Sequence, residues 1–123
     1  MTKILIIEDD LFLRDLAYQK LQSAGFEAHQ AADGEEGFKK IIEVKPDLVL
    51  LDIVLPGIDG FEILRRKKDN PEISSIPVVI LSNLGQKEEI EQGLSLGAKD
   101  YLIKAHFTLD EIILKVKKIL GQN

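Results

Sequence analysis

The sequence contains no cysteine and no tryptophan, and it has only two histidines among 123 residues. The lack of cysteine excludes a disulfide framework, a thiolate metal site and a thiol nucleophile. With only His29 and His106 available, a histidine-rich metal site or a Ser-His-Asp triad has little material to draw on. Both histidines are expected to be surface groups.

Long apolar runs and a surplus of basic residues are also missing. No segment approaches the roughly 18 apolar residues that a membrane span requires, and no signal peptide precedes the first predicted strand. The net charge of −5 does not favour nonspecific binding to nucleic acid. The length and the 45% hydrophobic content predict one folded domain over residues 1–123. A cytoplasmic location is expected.

The most informative segment is the block from Lys45 to Gly60, K-P-D-L-V-L-L-D-I-V-L-P-G-I-D-G. A continuous apolar run closed by a Pro-Gly turn predicts a strand that is buried on both faces of a parallel sheet. Asp52 then lies at the carboxyl end of a central strand, where open α/β sheets bind their ligands. A carboxylate in that position costs free energy unless a partner stabilises it.

Five strand patterns alternate with five helical patterns along the chain. The strands are predicted at residues 3–7, 26–32, 48–51, 76–81 and 101–103. Such alternation predicts a parallel sheet with right-handed crossovers and helices on both faces. The second strand is the most polar and is therefore predicted at an edge of the sheet.

Local signals predict the helix ends and the buried faces. Asp10 and Asp33 are expected to cap the first two helices, and Thr108 to Glu111 forms a capping-box pattern before the last helix. The basic run from Arg65 to Lys68 is interpreted as a solvated last turn. The first two helices are expected to bury the following apolar residues: Leu13, Leu16, Ala17, Leu21, Phe38, Ile41 and Ile42.

Polar side chains stand at the carboxyl ends of the predicted strands. They are Glu8, Asp9 and Asp10 after the first strand, Asp52 after the third, Ser82 at the fourth and Lys104 at the fifth. Clustered carboxylates repel one another unless a cation joins them, and hard oxygen ligands favour Mg²⁺. A metal, an ammonium and a hydroxyl are the groups that a phosphoryl group on an oxygen nucleophile requires. No glycine-rich phosphate loop follows the first strand, which disfavours a nucleotide site.

In these motifs and in the G-A-K-D-Y-L-I-K segment ending at Lys104, the whole chain resembles the receiver domain of two-component response regulators. The resemblance implies a flavodoxin-like (βα)5 fold with strand order 2-1-3-4-5. It implies that Asp52 accepts a phosphoryl group from a phosphohistidine of a sensor kinase or phosphotransfer protein. Mg²⁺ would be held by Asp9, by Asp52, by the backbone carbonyl of Val54 and, through a water, by Glu8.

The resemblance also implies a switch. Lys104 and the Ser82 hydroxyl would bind the phosphoryl oxygens, and Tyr101 would turn inward behind Ser82. The surface formed by the fourth helix, the fifth strand and the fifth helix would then signal to a partner protein or an output domain. Direct nucleic-acid binding and membrane binding by this domain are not expected.

Two positions near the site carry residues that the family does not usually have there. Two others affect how long the phosphate is expected to last. Ala105 stands where the family usually has proline, so the Lys104–Ala105 bond is expected to be trans. Asn83 stands where alanine is usual, and its bulk is expected either to narrow access to Asp52 or to restrict the inward path of Tyr101. Val54 and Leu84 cannot hydrogen-bond to an attacking water, which predicts slow self-dephosphorylation.

A docking face for the kinase is predicted on the first helix, beside the site. Leu11, Arg14, Asp15 and Tyr18 share one face at helical spacing, opposite the predicted core face. Leu11 and Tyr18 are its apolar part, and apolar groups beside a site are candidate contacts for a partner.

Other functions use the same class of fold. A haloacid-dehalogenase-type phosphatase needs a second acid two residues after its nucleophile, and position 54 is valine. A flavodoxin-like electron carrier needs a hydroxyl-rich phosphate loop, whereas the acids at positions 8–10 would repel a phosphate. A receiver that works without phosphorylation remains an alternative. The chain could act alone or as part of a larger regulator.

Overall fold

Five parallel strands form one sheet in the order β2-β1-β3-β4-β5. The computed structural model describes residues 1–122. The strands are β1 (Lys3–Ile7), β2 (Glu27–Ala31), β3 (Leu48–Leu51), β4 (Val78–Ser82) and β5 (Asp100–Ile103). This order confirms the predicted flavodoxin-like fold, with the polar strand β2 at one edge.

Five helices connect and follow the strands. They are α1 (Leu11–Ser23), α2 (Gly34–Val44), α3 (Gly60–Lys68), α4 (Lys87–Ser95) and α5 (Leu109–Ile119). A short 3₁₀ turn at Lys104–His106 lies between β5 and α5. Within residues 1–122, no helix has both the length and the apolar character that crossing a membrane would require.

The sheet separates two apolar cores because successive side chains of a strand point to opposite faces. In β1, Leu5 and Ile7 pack in the core beneath α2, α3 and α4, whereas Ile4 and Ile6 pack beneath α1 and α5. The residues of β3 and β4 alternate in the same way. Strands β1, β3 and β4 therefore read as continuous apolar runs in the sequence.

The predicted helix caps are present. Asp10 accepts a hydrogen bond from the amide of Leu13 at 3.1 Å, and Asp33 accepts one from the amide of Glu36 at 2.8 Å. Thr108 and Glu111 form the reciprocal pair of bonds expected for a capping box. These bonds fix where α1, α2 and α5 begin, and so where the preceding loops leave the sheet.

Three predictions about buried and exposed residues are wrong. Leu16 is 39% exposed and Ile42 is 36% exposed, although both were expected in the core. Each precedes or follows a buried residue, and one residue rotates a helix face by about 100°. Lys67 is the opposite case, because it is buried and donates from Nζ to the carbonyl oxygen of Ser74 at 2.9 Å. The last turn of α3 is therefore not wholly solvated.

Candidate functional site

Backbone hydrogen bonds extend the sheet one residue past β1 and β3, and they position the two buried acids. The amide of Glu8 donates to the carbonyl of Ala31, and the amide of Asp52 donates to the carbonyl of Ile7, each at 3.0 Å. Glu8 and Asp52 therefore lie side by side, directly after the carboxyl ends of the neighbouring strands β1 and β3. Their side chains are almost fully buried, with 2% and 6% of each residue exposed.

Lys104, which follows β5 directly, links these two acids. Its Nζ lies 2.7 Å from Oδ2 of Asp52 and 2.6 Å from Oε1 of Glu8. The other oxygen of Asp52, Oδ1, accepts a hydrogen bond from the amide of Ile53 at 2.7 Å. An ammonium and a backbone amide therefore both stabilise the negative charge of Asp52.

For Glu8 and for Lys104, burial and the bond between the two side chains shift the pKa in opposite directions. Burial raises the pKa of Glu8 to about 7, and the charge of Asp52 adds to that rise, while the hydrogen bond from Lys104 opposes it. Burial by itself lowers the pKa of Lys104, but its hydrogen bonds to Asp52 and Glu8 outweigh that effect, so the pKa is raised. Lys104 therefore remains an ammonium at neutral pH.

Asp9 completes a group of three carboxylates. Carboxylate oxygens of Glu8, Asp9 and Asp52 lie within 4.8 Å of one another, and Asp9 is the exposed member. Three hard oxygen donors suit Mg²⁺, which usually keeps several waters and takes one or two carboxylates. The residues fit the ion. Glu8, whose expected contact with Mg²⁺ is through a water, also forms the ion pair with Lys104.

Ser82 and Tyr101 lie behind the acids, on β4 and β5. Ser82 is fully buried, and its Oγ accepts a hydrogen bond from the amide of Leu84 at 3.3 Å. The Tyr101 hydroxyl donates to the carbonyl oxygen of Leu84 at 2.6 Å, and the residue is 8% exposed. Burial raises the pKa of Tyr101, which keeps its hydroxyl a donor. The tyrosine therefore occupies an inward position.

The two unusual residues near the site lie on its rim. No cis peptide bond occurs within residues 1–122, so the Lys104–Ala105 bond is trans, as expected. Ala105 and Asn83 are both exposed. Val54 is also exposed, and its amide lies 3.4 Å from Oδ1 of Asp52.

The predicted docking residues divide into two groups. Leu11 and Asp15 are exposed on α1. Arg14 and Tyr18 are only partly exposed, because Arg14 bonds to the carbonyl of Glu8 and Tyr18 packs on the core beneath α1 and α5.

Sequence reasoning missed Phe12, which is 80% exposed and next to Leu11. The signal was available, since Phe12 falls outside the buried face defined by Ala17 and Leu21. Leu11, Phe12 and Leu16 form an exposed apolar surface on α1, called the α1 patch below.

The sequence is similar to those of known proteins. The chain matches the response regulator receiver domain family over residues 4–117. It is 39% identical over 120 residues to the DNA-binding dual master transcriptional regulator RpaA of Synechocystis sp., covering 98% of this chain and 49% of that protein. It is also 39% identical over 118 residues to sporulation initiation phosphotransferase F of Bacillus subtilis, covering 96% of this chain and 93% of that one.

Solved structures agree. A CheY-like receiver domain protein from Methanospirillum hungatei superposes with a TM-score of 0.91 at 28% identity, covering 98% of this chain and 94% of that one. A putative response regulator from Chloroflexus aurantiacus gives 0.88 at 34% identity, covering 98% of both chains. The chain belongs to the receiver-domain family of two-component response regulators, which confirms the resemblance. It spans about half the length of RpaA and of two PhoB relatives, but nearly all of phosphotransferase F.

Proposed function

We propose that the chain acts as one receiver domain over residues 1–123 and accepts a phosphoryl group on Asp52. The observation that carries this proposal is the Lys104 ammonium, 2.7 Å from Oδ2 of Asp52, where three carboxylates meet. The donor would be a phosphohistidine of a sensor kinase or phosphotransfer protein. A carboxylate oxygen of Asp52 attacks phosphorus, the P–N bond breaks, and the imidazole keeps the electron pair and takes a proton from solvent.

The surrounding residues support this reaction in distinct ways. Asp9, Asp52 and the Val54 carbonyl would hold Mg²⁺, with Glu8 acting through a water. The bound ion would supply positive charge opposite the phosphoryl oxygens. Lys104, already beside Asp52, would pair with a phosphoryl oxygen. The buried Ser82 hydroxyl would donate to another phosphoryl oxygen.

The test uses a small phosphodonor, so that no partner protein is needed. The chain is incubated with acetyl phosphate and Mg²⁺ and weighed by mass spectrometry. We expect one added phosphoryl group in the parent and in Asp69→Asn, a control at the exposed C-cap of α3. Asp52→Asn should gain none. If Asp52→Asn is phosphorylated as readily as the parent, the assignment of Asp52 is wrong.

We also propose that the kinase or phosphotransfer protein docks on α1, beside Asp52. The α1 patch supports this proposal, because its apolar side chains are exposed next to the acids that end β1. Leu11 and Asp15 keep their predicted docking role in this proposal. Arg14 and Tyr18 are engaged with the protein's own atoms and would contribute less.

Phosphorylation is proposed to be read on α4, β5 and α5 by a partner protein or an output domain. Ser82 would move toward the phosphoryl group, and Tyr101 would respond because both residues contact Leu84. Such a domain already samples two arrangements, and the modification shifts their populations.

The phosphorylated form is proposed to be long-lived. The exposed Val54 side chain lies two residues past Asp52, and Leu84 lies two residues past Ser82. Neither side chain can hydrogen-bond to a water attacking phosphorus in line. The signal would then be ended by a phosphatase or by back-transfer to the donor.

A further inference from the structure

The guanidinium of Arg14 is used inside the molecule. Arg14 lies in the first turn of α1, and its Nη1 donates to the carbonyl oxygen of Glu8 at 2.9 Å. Its Nε donates to Oε1 of Gln30, on strand β2, at 3.3 Å. Neither partner is a carboxylate, although Asp10 and Asp15 lie at the same end of α1. The arginine therefore ties the turn after β1 to the edge strand.

The carbonyl that Arg14 holds belongs to the peptide group between Glu8 and Asp9. On the other side of Glu8, its amide is fixed by the carbonyl of Ala31. On the other side of Asp9, the amide of Asp10 donates to Oε2 of Glu8 at 3.1 Å. Those two bonds leave the peptide group between Glu8 and Asp9 unconstrained, and the hydrogen bond from Arg14 fixes its orientation. Because a peptide group is planar, the direction of this carbonyl also sets the direction in which Asp9 leaves the strand.

We infer that Arg14 is a positioning residue that orients Asp9 toward the Mg²⁺ site. This inference rests on the proposed function, in which Asp9 is a Mg²⁺ ligand. Asp9 is the exposed member of the carboxylate group, so burial does not hold its side chain in place. Arginine suits the task because its planar fork can bond two acceptors at once, which a lysine ammonium does less well. Groups that orient metal ligands typically contribute about 10-fold or more to metal affinity.

The competing explanation is that Arg14 contacts the kinase, as its position on α1 suggests. The two explanations predict different results with a small phosphodonor. A docking residue matters only when a protein delivers the phosphoryl group. A positioning residue matters for Mg²⁺ binding by the chain alone, and also when acetyl phosphate is the donor.

The experiment compares the full chain with Arg14→Ala, Arg14→Lys and Gln30→Ala. The matched control is Gln19→Ala, which alters an exposed position elsewhere on α1. Mg²⁺ affinity is measured from amide NMR shifts of the unphosphorylated protein. The rate of phosphorylation by acetyl phosphate is then followed at increasing Mg²⁺. Thermal unfolding without Mg²⁺ separates a loss of stability from a loss of affinity.

We expect Arg14→Ala to raise the Mg²⁺ dissociation constant about 10-fold. Its phosphorylation rate should approach that of the parent at saturating Mg²⁺, because Asp52 and Lys104 are untouched. Arg14→Lys should recover part of the affinity, Gln30→Ala should lose less than Arg14→Ala, and Gln19→Ala should match the parent.

A folded Arg14→Ala protein with the Mg²⁺ affinity of the parent overturns the inference. If that variant does not fold, Arg14→Met keeps the apolar stem and is judged by the same criterion. A parent that binds Mg²⁺ but gains no phosphate on Asp52 counts against the proposed function and leaves the affinity comparison standing. A phosphorylated parent whose variants share its affinity removes only the role of Arg14.

Discussion

Lys67 is a buried charge at the end of α3, with 6% of the residue exposed. Its Nζ donates a hydrogen bond to the carbonyl oxygen of Ser74, in the segment that leads from α3 to β4. Burial lowers its pKa from the ordinary value of 10.5. The folded state therefore binds this proton less tightly than the unfolded state does.

The consequence is a pH-dependent cost of keeping Lys67 charged. Below the folded-state pKa, both states hold the proton and the cost is complete. It shrinks as pH rises from that pKa to 10.5, because only the unfolded state is then protonated. Lys67→Met should therefore raise the free energy of unfolding at pH 7, and its advantage should shrink toward pH 10.5. Urea unfolding across this range measures the difference.

The control for this prediction is Lys68→Met, which alters an exposed neighbour on the same turn. It should show no comparable change with pH. A Lys67→Met protein less stable than the parent at pH 7 would mean that the bond to Ser74 outweighs the cost of burying the charge.

The lifetime of the phosphate depends on two apolar side chains. Val54→Asn or Leu84→Glu would add a polar group that can orient an attacking water, so each should speed the loss of phosphate by about 10-fold or more. The measurement is phosphate remaining on Asp52 after the donor is removed. A parent half-life of seconds that neither substitution changes would show that another group, such as Asn83, positions the water.

Single residues were predictable where the sheet alone determines their position. Asp52 and Lys104 could be brought together from the sequence because the ends of parallel strands meet at one edge. The contacts of Arg14 and Lys67 could not, because they depend on where Gln30 and Ser74 lie after folding. Leu16 was misassigned because periodicity does not fix the centre of a short apolar face to within one residue.

The α1 patch is proposed as the surface on which the kinase docks, and substitutions in it test that role. Phe12 is its most exposed member, and a truncated aromatic contact commonly costs more than 1 kcal/mol in an interface. Phe12→Ala should therefore slow transfer from the cognate kinase about 10-fold while leaving phosphorylation by acetyl phosphate unchanged. Leu114→Ser, at an exposed apolar residue on α5, is the matched control. Equal transfer by both variants would exclude the patch as the docking surface.

Gly93 of α4 packs against the side chains of Ile80 and Tyr101, and a larger residue would not fit there. A Cβ atom added there would lie 2.6 Å from Cδ1 of Ile80 and 3.0 Å from Cδ2 of Tyr101. Gly93→Ala should therefore move the ring outward, expose its hydroxyl and lower its raised pKa toward 10.0. Spectroscopic titration with Tyr18→Phe in both proteins isolates Tyr101. An unchanged pKa would show that Ile80 alone yields to the added methyl group.

For the molecule as a whole, the proposed read-out requires a signal to cross from β3 to β5. Strand β4 pairs with both, and Ser82 lies opposite Ile103 in the register of β4 and β5. Gly93 is the one residue of α4 that is buried, so little packing holds this helix. Phosphorylation should therefore change amide exchange in residues 87–95 and 100–103 more than in α2. Changes confined to residues next to Asp52 would contradict the read-out.

The overall architecture was the most predictable level. Alternating strand and helix patterns were sufficient for a parallel sheet, and the polarity of β2 was sufficient for its place at an edge. The full strand order came from the resemblance to the receiver family, because apolar runs such as β1, β3 and β4 look alike and do not reveal their neighbours. The structure confirmed all three features.

The bridge from Lys104 to Glu8 and Asp52 also bears on how the chain is synthesised. Translation delivers the acids that follow β1 first, then Asp52, and Lys104 only 52 residues after Asp52. A nascent chain that has completed β3 would gather three carboxylates before their ammonium partner has been made. Early compaction on the ribosome should therefore respond to divalent cations, and that response should weaken once β5 has emerged.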